Sequence, residues 1–403
     1  MNTSTGSDNS LGSIVSPFVK LRDLLDGLQP GAAPIDMTIG EPKHAMPSFL
    51  MERISEAAAD FGKYPPNAGS DDLRRAIADW LERRYRLDGR LDPMRHVIAI
   101  AGSREGLFSG IFPARERRRM VTRPAVLIPN PFYQVYAGAA ISADAEPVYL
   151  GATHNTGFLP DLDALESDPE LLSRTIAFYL CSPANPQGTV ADKAYLARAI
   201  GLARRHGFML FADECYSEVY TREPPPGALE VAAEMGEGFA NVIVYNSLSK
   251  RSNLPGLRMG LAAGDPEFIA LLSQFRAVTA PQVPLPVQHA AAAIWRDEAH
   301  VEASRALYRQ KFDDADRILG GRFGYVRPGG GFFIWLDASR FGGGETATVT
   351  LWKRCGVKVL PGAYLTRGSG TDGNPGSAYI RVALVQDAPT TRQGLERIVA
   401  TLV

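Results

Sequence analysis

The chain has 403 residues, of which 45% are hydrophobic and 22% charged, and its formal net charge is −1. This length exceeds one ordinary domain and predicts two domains with a large hydrophobic core. The near-neutral charge balance excludes a general attraction to nucleic acid or to an anionic membrane surface.

Residues 1–13 are polar, rich in Ser, Thr and Gly, and show no signal peptide, so we expect them to be disordered. No uninterrupted apolar stretch has the length of a membrane span. The three cysteines, Cys181, Cys215 and Cys355, lie far apart without metal-ligand spacing, and the six histidines form no paired motif. We therefore expect no metal site and a reduced, cytoplasmic protein.

The first predicted elements are a short amphipathic helix over residues 14–26 and a strand over residues 35–39. That strand leads into a Gly-Glu-Pro sequence at Gly40. Glycine there permits a ligand to approach the backbone closely, but the same pattern is as typical of a simple turn. Residues 47–61 are predicted to be helical.

Tyr64 lies in a proline-stiffened loop that opens onto a helix predicted over residues 70–85, with Asp71 and Asp72 in its first turn. An exposed loop tyrosine is typical of packing or of an interface. The tyrosine in this loop could therefore serve packing or an interface.

A strand over residues 96–101 is followed by Gly102, Ser103 and Arg104 at the start of a helix. Free N–H groups and the helix dipole favour an anion such as phosphate at this point. A Gly-Ser helix cap without any ligand is the commoner case for so short a motif.

Two further buried strands end in residues that could contact a ligand. The strand over residues 125–128 leads to Phe132 and Tyr133, and an aromatic ring there could stack on a flat heteroaromatic group. The strand over residues 175–180 delivers Asn185 in an Asn-Pro-x-Gly sequence, which by itself is only a turn.

The apolar strand over residues 208–212 ends at Asp213, three residues before Tyr216. Burying this carboxylate without a partner would be costly. Asp213 either caps the next helix or pairs with a positively charged cofactor ring, which would be the better partner.

Lys250 follows the buried strand over residues 242–244, with Ser247 three residues before it and Arg258 eight after it. A lone lysine after a strand is usually a solvated charge. Here an amine and a cradle for an anion lie close together, as an enzyme that carries pyridoxal phosphate on a lysine requires.

The C-terminal part is predicted to begin with a helical stretch over about residues 287–319 that bridges into a second domain. Strands are predicted over residues 322–326, 331–336, 358–360 and 378–384. The last strand carries Arg381, which on a half-exposed antiparallel strand would ordinarily belong to the polar side. Residues 342–344 and 368–376 are predicted to be flexible surface loops.

The stretch Ser-Leu-Ser-Lys-Arg-Ser-Asn-Leu-Pro-Gly-Leu-Arg that contains Lys250 resembles the signature of the fold-type I, class I/II aminotransferases. Its variant is most similar to the bacterial N-succinyl-diaminopimelate aminotransferases. The resemblance covers nearly the whole chain, with the motifs in the family's order. It implies an α/β fold in which a large domain with a mostly parallel central sheet is joined to a smaller α+β domain. We place the N-terminal arm, which also contributes part of the small domain, at residues 1–46, the large domain at 47–291 and the small C-terminal domain at 292–403.

The resemblance also implies a role for each motif residue. Lys250, Asp213 and Tyr216 would be catalytic, since the lysine carries the cofactor and moves a proton, and the aspartate keeps the cofactor ring nitrogen protonated. The implied contacts to pyridoxal phosphate are Ser103, Arg104, Tyr133, Asn185, Asp213, Tyr216, Ser247, Lys250 and Arg258, with Tyr64 reaching a dimer partner's phosphate site. The implied substrate contacts are Gly40, Asn185 and Arg381, with the arginine holding the α-carboxylate. Phe132 remains a competitor of Tyr133 for the stacking position.

The implied activity is transamination between glutamate and an oxo acid by a cytoplasmic homodimer, with N-succinyl-2-amino-6-oxopimelate of lysine biosynthesis as the expected acceptor. Lys43, Arg104 and Arg251 are candidates for binding the acceptor's second carboxylate. The alternatives are an aspartate, alanine or aromatic aminotransferase, a carbon–sulfur lyase that uses the same cofactor, and a non-catalytic binding protein.

Overall fold

The computed structural model of the chain describes residues 10–368 and 373–402. Residues 1–9 of the segment predicted to be disordered lie outside the described residues. The same holds for residues 369–372 of the predicted loop 368–376. Within the described ranges the strands are β1 (Ile35–Asp36), β2 (Val97–Ile100), β3 (Ala125–Asn130), β4 (Glu146–Gly151), β5 (Thr175–Cys181), β6 (Met209–Asp213), β7 (Val242–Ser247), β8 (Gly260–Gly264), β9 (Phe333–Asp337), β10 (Val357–Lys358), β11 (Leu360–Pro361) and β12 (Tyr379–Ala383).

Helices of the same ranges connect and cover these strands. The α-helices are α1 (Pro17–Leu24), α2 (Leu50–Glu56), α3 (Asp71–Tyr85), α4 (Pro93–His96), α5 (Ser103–Ser109), α6 (Ile111–Arg117), α7 (Gln134–Ser142), α8 (Leu162–Glu166), α9 (Pro169–Arg174), α10 (Lys193–His206), α11 (Ala228–Glu234), α12 (Leu248–Arg251), α13 (Pro266–Thr279), α14 (Leu285–Arg296), α15 (Ala299–Leu319), α16 (Gly343–Cys355) and α17 (Ala388–Leu402). Short 3-10 helices occupy Leu11–Ser13, Ala58–Gly62, His154–Thr156, Pro255–Leu257, Arg322–Gly324, Ser339–Phe341 and Gly362–Leu365.

A seven-stranded sheet with the order β2-β8-β7-β6-β5-β3-β4 forms the centre of the molecule. Its strands run parallel except for β8, which is antiparallel to both of its neighbours. Strands β5, β6 and β7 are buried along their whole length, as apolar strands covered on both faces must be. The expected α/β fold with a mostly parallel sheet is confirmed.

The carboxyl ends of the parallel strands place polar side chains along one edge of this sheet. Asn130, Asp213 and Ser247 are the last residues of β3, β6 and β7, respectively. In open α/β sheets this edge is where ligands bind. Five of the candidate site residues follow the ends of strands of this sheet: Ser103 after β2, Tyr133 after β3, Asn185 after β5, Tyr216 after β6 and Lys250 after β7.

A separate three-stranded antiparallel sheet has the order β11-β12-β9. Arg381 on β12 faces Trp335 on β9 and Leu360 on β11. The N-terminal β1 pairs in parallel with β10, so that Ile35 lies opposite Val357. The beginning of the chain therefore pairs with its C-terminal part.

The predicted strand over residues 358–360 is divided between β10 and β11, which belong to different sheets, and the predicted helix over residues 47–61 is α2 followed by a 3-10 helix. Three further predicted elements differ in the structure for local reasons. The helical stretch over residues 287–319 is two helices, α14 and α15, because the Asp297 carboxylate accepts a hydrogen bond from the His300 N–H at 3.2 Å and starts a new helix. The predicted strand over residues 322–326 is a 3-10 turn closed by a 3.0 Å bond from the Tyr325 N–H to the Arg322 carbonyl.

The third difference is at residues 342–344, which were expected to be a loop but lead directly into α16. Gly342, with φ of +80°, supplies a left-handed backbone turn before the helix. The predicted domain boundary after residue 291 falls inside α14, whose Trp295 packs on Trp80 of α3 with ring centroids 4.7 Å apart. The boundaries remain a prediction.

Candidate active site

Lys250 lies on the short helix α12 directly after the central strand β7. The Ser247 hydroxyl accepts a 3.3 Å hydrogen bond from the Ser249 N–H and caps this helix. The Lys250 ammonium donates to the Gly40 carbonyl and lies 5.5 Å from the centre of the Phe332 ring. Burial lowers the pKa of Lys250 to about 8, so that more of its amine is neutral, and therefore nucleophilic, near neutral pH.

Gly40 brings the N-terminal segment up to this lysine. A Cβ atom at position 40 would lie 2.4 Å from Cζ of Phe333, a separation that no side chain tolerates. Glycine at position 40 therefore lets the backbone pass close to Phe333, where its carbonyl meets the Lys250 amine. The approach of a substrate to Gly40 stays a prediction.

Asp213 ends strand β6 and is 5% exposed. Its carboxylate accepts a 2.6 Å hydrogen bond from the Tyr136 hydroxyl and a 3.2 Å bond from the Cys215 N–H. Burial raises the pKa of Asp213, and these hydrogen bonds oppose the rise. Two fixed donors hold the carboxylate in place, where it can pair with a protonated ring nitrogen.

The contact from Tyr136 was not anticipated from the sequence. Tyr136 lies on α7, three residues after Tyr133, and is fully buried. The spacing puts both tyrosines on one face of a helix, which is the signal that could have found it. Their rings meet edge to face with centroids 5.7 Å apart.

Two glycines let the predicted anion-binding residues converge. A Cβ at Gly102, whose φ is +83°, would lie 2.3 Å from the Arg258 guanidinium. A Cβ at Gly260 would lie 3.2 Å from both the Ser103 nitrogen and the Ser247 Cβ. Gly102 thus lets the Arg258 guanidinium approach the backbone beside Ser103, and Gly260 lies next to both Ser103 and Ser247, so these three residues are close together.

The choice between Phe132 and Tyr133 is clearer in the structure. Phe132 is 6% exposed and packs on Tyr149 with ring centroids 5.0 Å apart. Tyr133 accepts a 2.6 Å hydrogen bond from Arg104 through its hydroxyl. Phe132 is part of the core, which favours Tyr133 as the residue that stacks on a ligand ring. Arg104 is the partner of Tyr133.

Arg381 is 4% exposed and is held in place from three sides. It donates to the Asn185 side-chain oxygen at 3.0 Å and to the Thr38 carbonyl at 2.6 Å, and its guanidinium lies 4.2 Å from the Phe333 ring centre. Burial lowers its pKa to about 10, which leaves it charged at neutral pH. Its buried Nε has no acceptor among the described residues. Arg381 and Asn185 are therefore together, as predicted for a carboxylate site.

Tyr216 is buried against the edges of Phe332 and Phe333, with ring centroids 5.3 and 5.9 Å away. Burial raises the pKa of its hydroxyl well above the usual range, so the group remains a hydrogen-bond donor. Tyr64, by contrast, is 99% exposed, and its ring touches none of the other site residues in the described chain.

The three candidates for a distal carboxylate have different surroundings. Arg251 is buried within 5.4 Å of the Trp80 ring and 5.0 Å of the Trp295 ring, and it pairs with Glu298 at 2.6 Å. It stabilises the junction of α14 and α15 and is closed to a substrate, so this candidate was wrong. Lys43 is exposed, and its ammonium donates a 3.0 Å hydrogen bond to the Gln386 side-chain oxygen.

These features fit pyridoxal phosphate. The hydroxyls of Ser103 and Ser247 and the guanidinium of Arg258, which lie close together, suit a phosphate group. Buried Asp213 suits a protonated pyridine nitrogen, and Lys250 supplies the amine that the cofactor's aldehyde requires.

The family model described as aminotransferase class I and II matches residues 32–399. An LL-diaminopimelate aminotransferase of Desulforudis audaxviator is 31% identical over 394 residues, which cover 94% of this chain and 94% of that protein. An LL-diaminopimelate aminotransferase of Syntrophobacter fumaroxidans is 29% identical over 378 residues and covers 91% of each.

Solved structures agree with this result. An aminotransferase from Neisseria meningitidis superposes with a TM-score of 0.90 at 36% identity, covering 96% of this chain and 98% of its own. The aminotransferase AspB from Helicobacter pylori has a TM-score of 0.87 at 34% identity, with the same coverage. None of the helices in the described ranges combines the length and the apolar composition that crossing a membrane requires.

Proposed function

Because the chain belongs to the class I and II aminotransferase family, whose cofactor is pyridoxal phosphate, we propose that it transfers an amino group between glutamate and N-succinyl-2-amino-6-oxopimelate. The observation that carries the transfer chemistry is the convergence of Lys250, buried Asp213 and the Arg381–Asn185 pair. The relatives named LL-diaminopimelate aminotransferase support a substrate of the diaminopimelate series and hence a role in lysine biosynthesis.

Each site residue has a distinct task in this proposal. Bound pyridoxal phosphate supplies the electron sink that makes the proton on the substrate Cα removable. Lys250, with a pKa near 8, takes that proton as a base and returns it as an acid. Arg381 binds the α-carboxylate through two parallel hydrogen bonds and so fixes the Cα–H bond beside the lysine.

The remaining residues hold the reacting groups in place. With the cofactor bound, Asp213 would stabilise positive charge on its ring nitrogen, Tyr216 would donate to its hydroxyl oxygen, and Tyr133 would stack on its ring. Ser103, Ser247 and Arg258 would hold its phosphate. Gly40 and Asn185 complete the carboxylate site.

The acceptor's succinyl group carries an extra anion, which is expensive to enclose without a partner. Lys43 and Arg104 remain candidates for that partner. Lys43 is exposed and directly precedes His44. Its ammonium donates to a neutral amide oxygen, and the Arg104 guanidinium donates to a neutral hydroxyl. Either cation can turn to a carboxylate without breaking an ion pair.

A second candidate substrate is the unsuccinylated compound, favoured by the names of the relatives. We would measure kcat/KM with glutamate as donor for the succinylated acceptor, the free acceptor, pyruvate and an aromatic oxo acid. The proposal predicts the highest value for the succinylated acceptor, with a selective loss in Lys43→Met or Arg104→Met. A preference for pyruvate or an aromatic oxo acid would contradict it while leaving transamination intact.

The proposed active unit is a cytoplasmic homodimer. The exposed rings of Tyr64 and its neighbour Phe61, 99% and 60% accessible, are suited to a partner subunit. Cys181, Cys215 and Cys355 are buried free thiols, as in proteins of a reducing compartment. We also propose the division into residues 1–46, 47–291 and 292–403.

A carbon–sulfur lyase of the same fold would use the same cofactor contacts. The two activities differ in their products, because a lyase releases ammonia and a thiol whereas an aminotransferase leaves the amino group on the enzyme. Detection of a stoichiometric oxo acid without ammonia from glutamate would favour transamination.

A further inference from the structure

The segment of residues 37–45, here called the arm, is fixed to the site at several points. The Met37 carbonyl accepts a 2.8 Å hydrogen bond from the Ala383 N–H. Arg381 donates to the Thr38 carbonyl, and Lys250 donates to the Gly40 carbonyl. The position of the arm therefore decides whether the lysine amine has an acceptor.

At its far end the arm is held by a buried contact between His44 and Lys311 of α15. The Lys311 ammonium is 2.8 Å from Nε2 of His44 and donates to the Leu384 carbonyl at 3.1 Å. Lys311 is 1% exposed. Since an ammonium has only donors, Nε2 of His44 must accept, which places the imidazole proton on Nδ1.

This tautomer continues the chain of hydrogen bonds towards the catalytic lysine. His44 Nδ1 lies 3.1 Å from the Ser304 hydroxyl, which lies 3.2 Å from the Asn253 side-chain nitrogen. Asn253 in turn donates to the Ala45 carbonyl at 3.1 Å. Asn253 lies three residues after Lys250. These hydrogen bonds therefore connect α15 both to the arm and to the segment that carries Lys250.

Contacts between aromatic rings also connect His44 with Lys250. The His44 ring lies 4.3 Å from the Tyr308 ring, which stacks on Phe332 at 5.4 Å. Phe332 is the ring beside the Lys250 ammonium. A movement of His44 would thus disturb the packing next to Lys250.

The protonation states suit this arrangement at neutral pH. Burial lowers the pKa of His44 to about 4, aided by the Lys311 charge, and burial lowers the pKa of Lys311 to about 8. The titratable groups facing Lys311 are His44, Tyr308 of its own helix and Asp387 after β12. Asp314, one turn along α15, is engaged with Arg317 and with Arg392 of α17.

We propose that Lys311 and His44 are positioning residues for Lys250: their buried contact fixes the arm so that the Gly40 carbonyl accepts the hydrogen bond from the lysine amine. This inference rests on the proposed catalytic role of Lys250. Neither residue touches the reacting atoms. When the contact is lost, the Lys250 ammonium loses an acceptor and becomes easier to deprotonate.

The sign of the effect separates this role from a simple electrostatic one. An electrostatic effect of removing the positive charge of Lys311 could only raise the pKa of Lys250, because a like charge disfavours the ammonium. Loss of the Gly40 carbonyl as an acceptor lowers the pKa of Lys250. If Lys311 contributed only to the stability of the fold, the pKa of Lys250 would stay unchanged.

The test uses the full-length apoprotein and acetic anhydride as the probe. The pH dependence of Lys250 acetylation is followed by mass spectrometry in wild type, Lys311→Met and Ser304→Ala. We expect the wild-type midpoint near pH 8 and a fall of about one pH unit in both variants. Lys353→Met, which removes an exposed lysine of α16 outside the arm and the site, is the matched control and should keep the wild-type midpoint.

A conservative variant adds a rescue. The amide of His44→Gln can accept from Lys311 and donate to Ser304, so it should retain the wild-type midpoint. An unchanged or higher midpoint in either folded variant, Lys311→Met or Ser304→Ala, overturns the proposal. The measurement needs no substrate, so its outcome is independent of which acceptor the enzyme uses.

Discussion

The hydroxyl of Tyr136 donates a 2.6 Å hydrogen bond to the carboxylate of Asp213 at the end of the central strand β6. The Cys215 N–H donates to the other carboxylate oxygen at 3.2 Å. Both oxygens are thus oriented by rigid, buried donors, neither of which is a cation. This geometry leaves the charge of Asp213 to be matched by a ligand.

We predict that Asp213→Asn lowers kcat by about 10²–10³-fold, the loss typical of one preorganised electrostatic contact. Asparagine has nearly the same shape, so the melting temperature should change little. Turnover and thermal unfolding would be measured on the purified variant. Tyr136→Phe, which keeps the charge and removes one hydrogen bond, should lose less activity. Near wild-type turnover in Asp213→Asn would reduce Asp213 to a helix cap.

The functional position of Asp213 could be predicted because it depends on local sequence: a carboxylate at the end of an apolar strand needs a partner. Its contact with Tyr136 could not, because it depends on how α7 packs against β6, 77 residues away in sequence. The family, the mostly parallel sheet and the cofactor expected from the sequence are all confirmed.

The predicted substrate contact of Arg251 was wrong. Its place beside Lys250 suggested a substrate contact, but Trp80 and Trp295 enclose it and Glu298 neutralises it. Nothing local in the sequence distinguishes a buried arginine from an exposed one when its partners come from distant helices. The break between α14 and α15 was missed because their apolar periodicity continues past Asp297.

The depressed pKa of Lys250 predicts how fast the apoprotein takes up its cofactor. Only the neutral amine attacks the aldehyde, so the rate of covalent uptake should rise with pH through about 8 and then level off. Stopped-flow absorbance would follow the reaction. Borohydride reduction and peptide mapping should place the cofactor on Lys250, and Lys250→Ala should bind it without a covalent bond. A rate still rising towards pH 10.5, or a label elsewhere, would contradict the assignment.

Gly40→Ala should destabilise the fold and impair the site together. The added methyl group would lie 2.4 Å from Cζ of Phe333, and such overpacking typically costs about 1–3 kcal/mol. Urea unfolding and kcat would both be measured. Gly62→Ala is the matched control, because its Cβ would meet nothing within 4 Å. Equal stability of the two variants would show that the arm does not need glycine at position 40.

The exposure of Tyr64 predicts a shared site between two subunits. Mixing Tyr64→Ala with Lys250→Ala subunits should restore part of the activity, because one of the two sites in a hybrid dimer would have both residues intact. Hybrids would be isolated with two affinity tags, and each parent homodimer serves as its control. Verified hybrids without any recovered activity would place Tyr64 outside the partner's site.

The most direct test of the central claim is the half-reaction of the purified holoenzyme with glutamate alone. The account predicts that the absorbance of the lysine-bound cofactor disappears and that one 2-oxoglutarate forms per active site without release of ammonia. Adding N-succinyl-2-amino-6-oxopimelate should then restore the original spectrum. A spectrum that stays unchanged with glutamate and with every other amino acid tried, or continuous release of ammonia, would contradict the assignment as an aminotransferase.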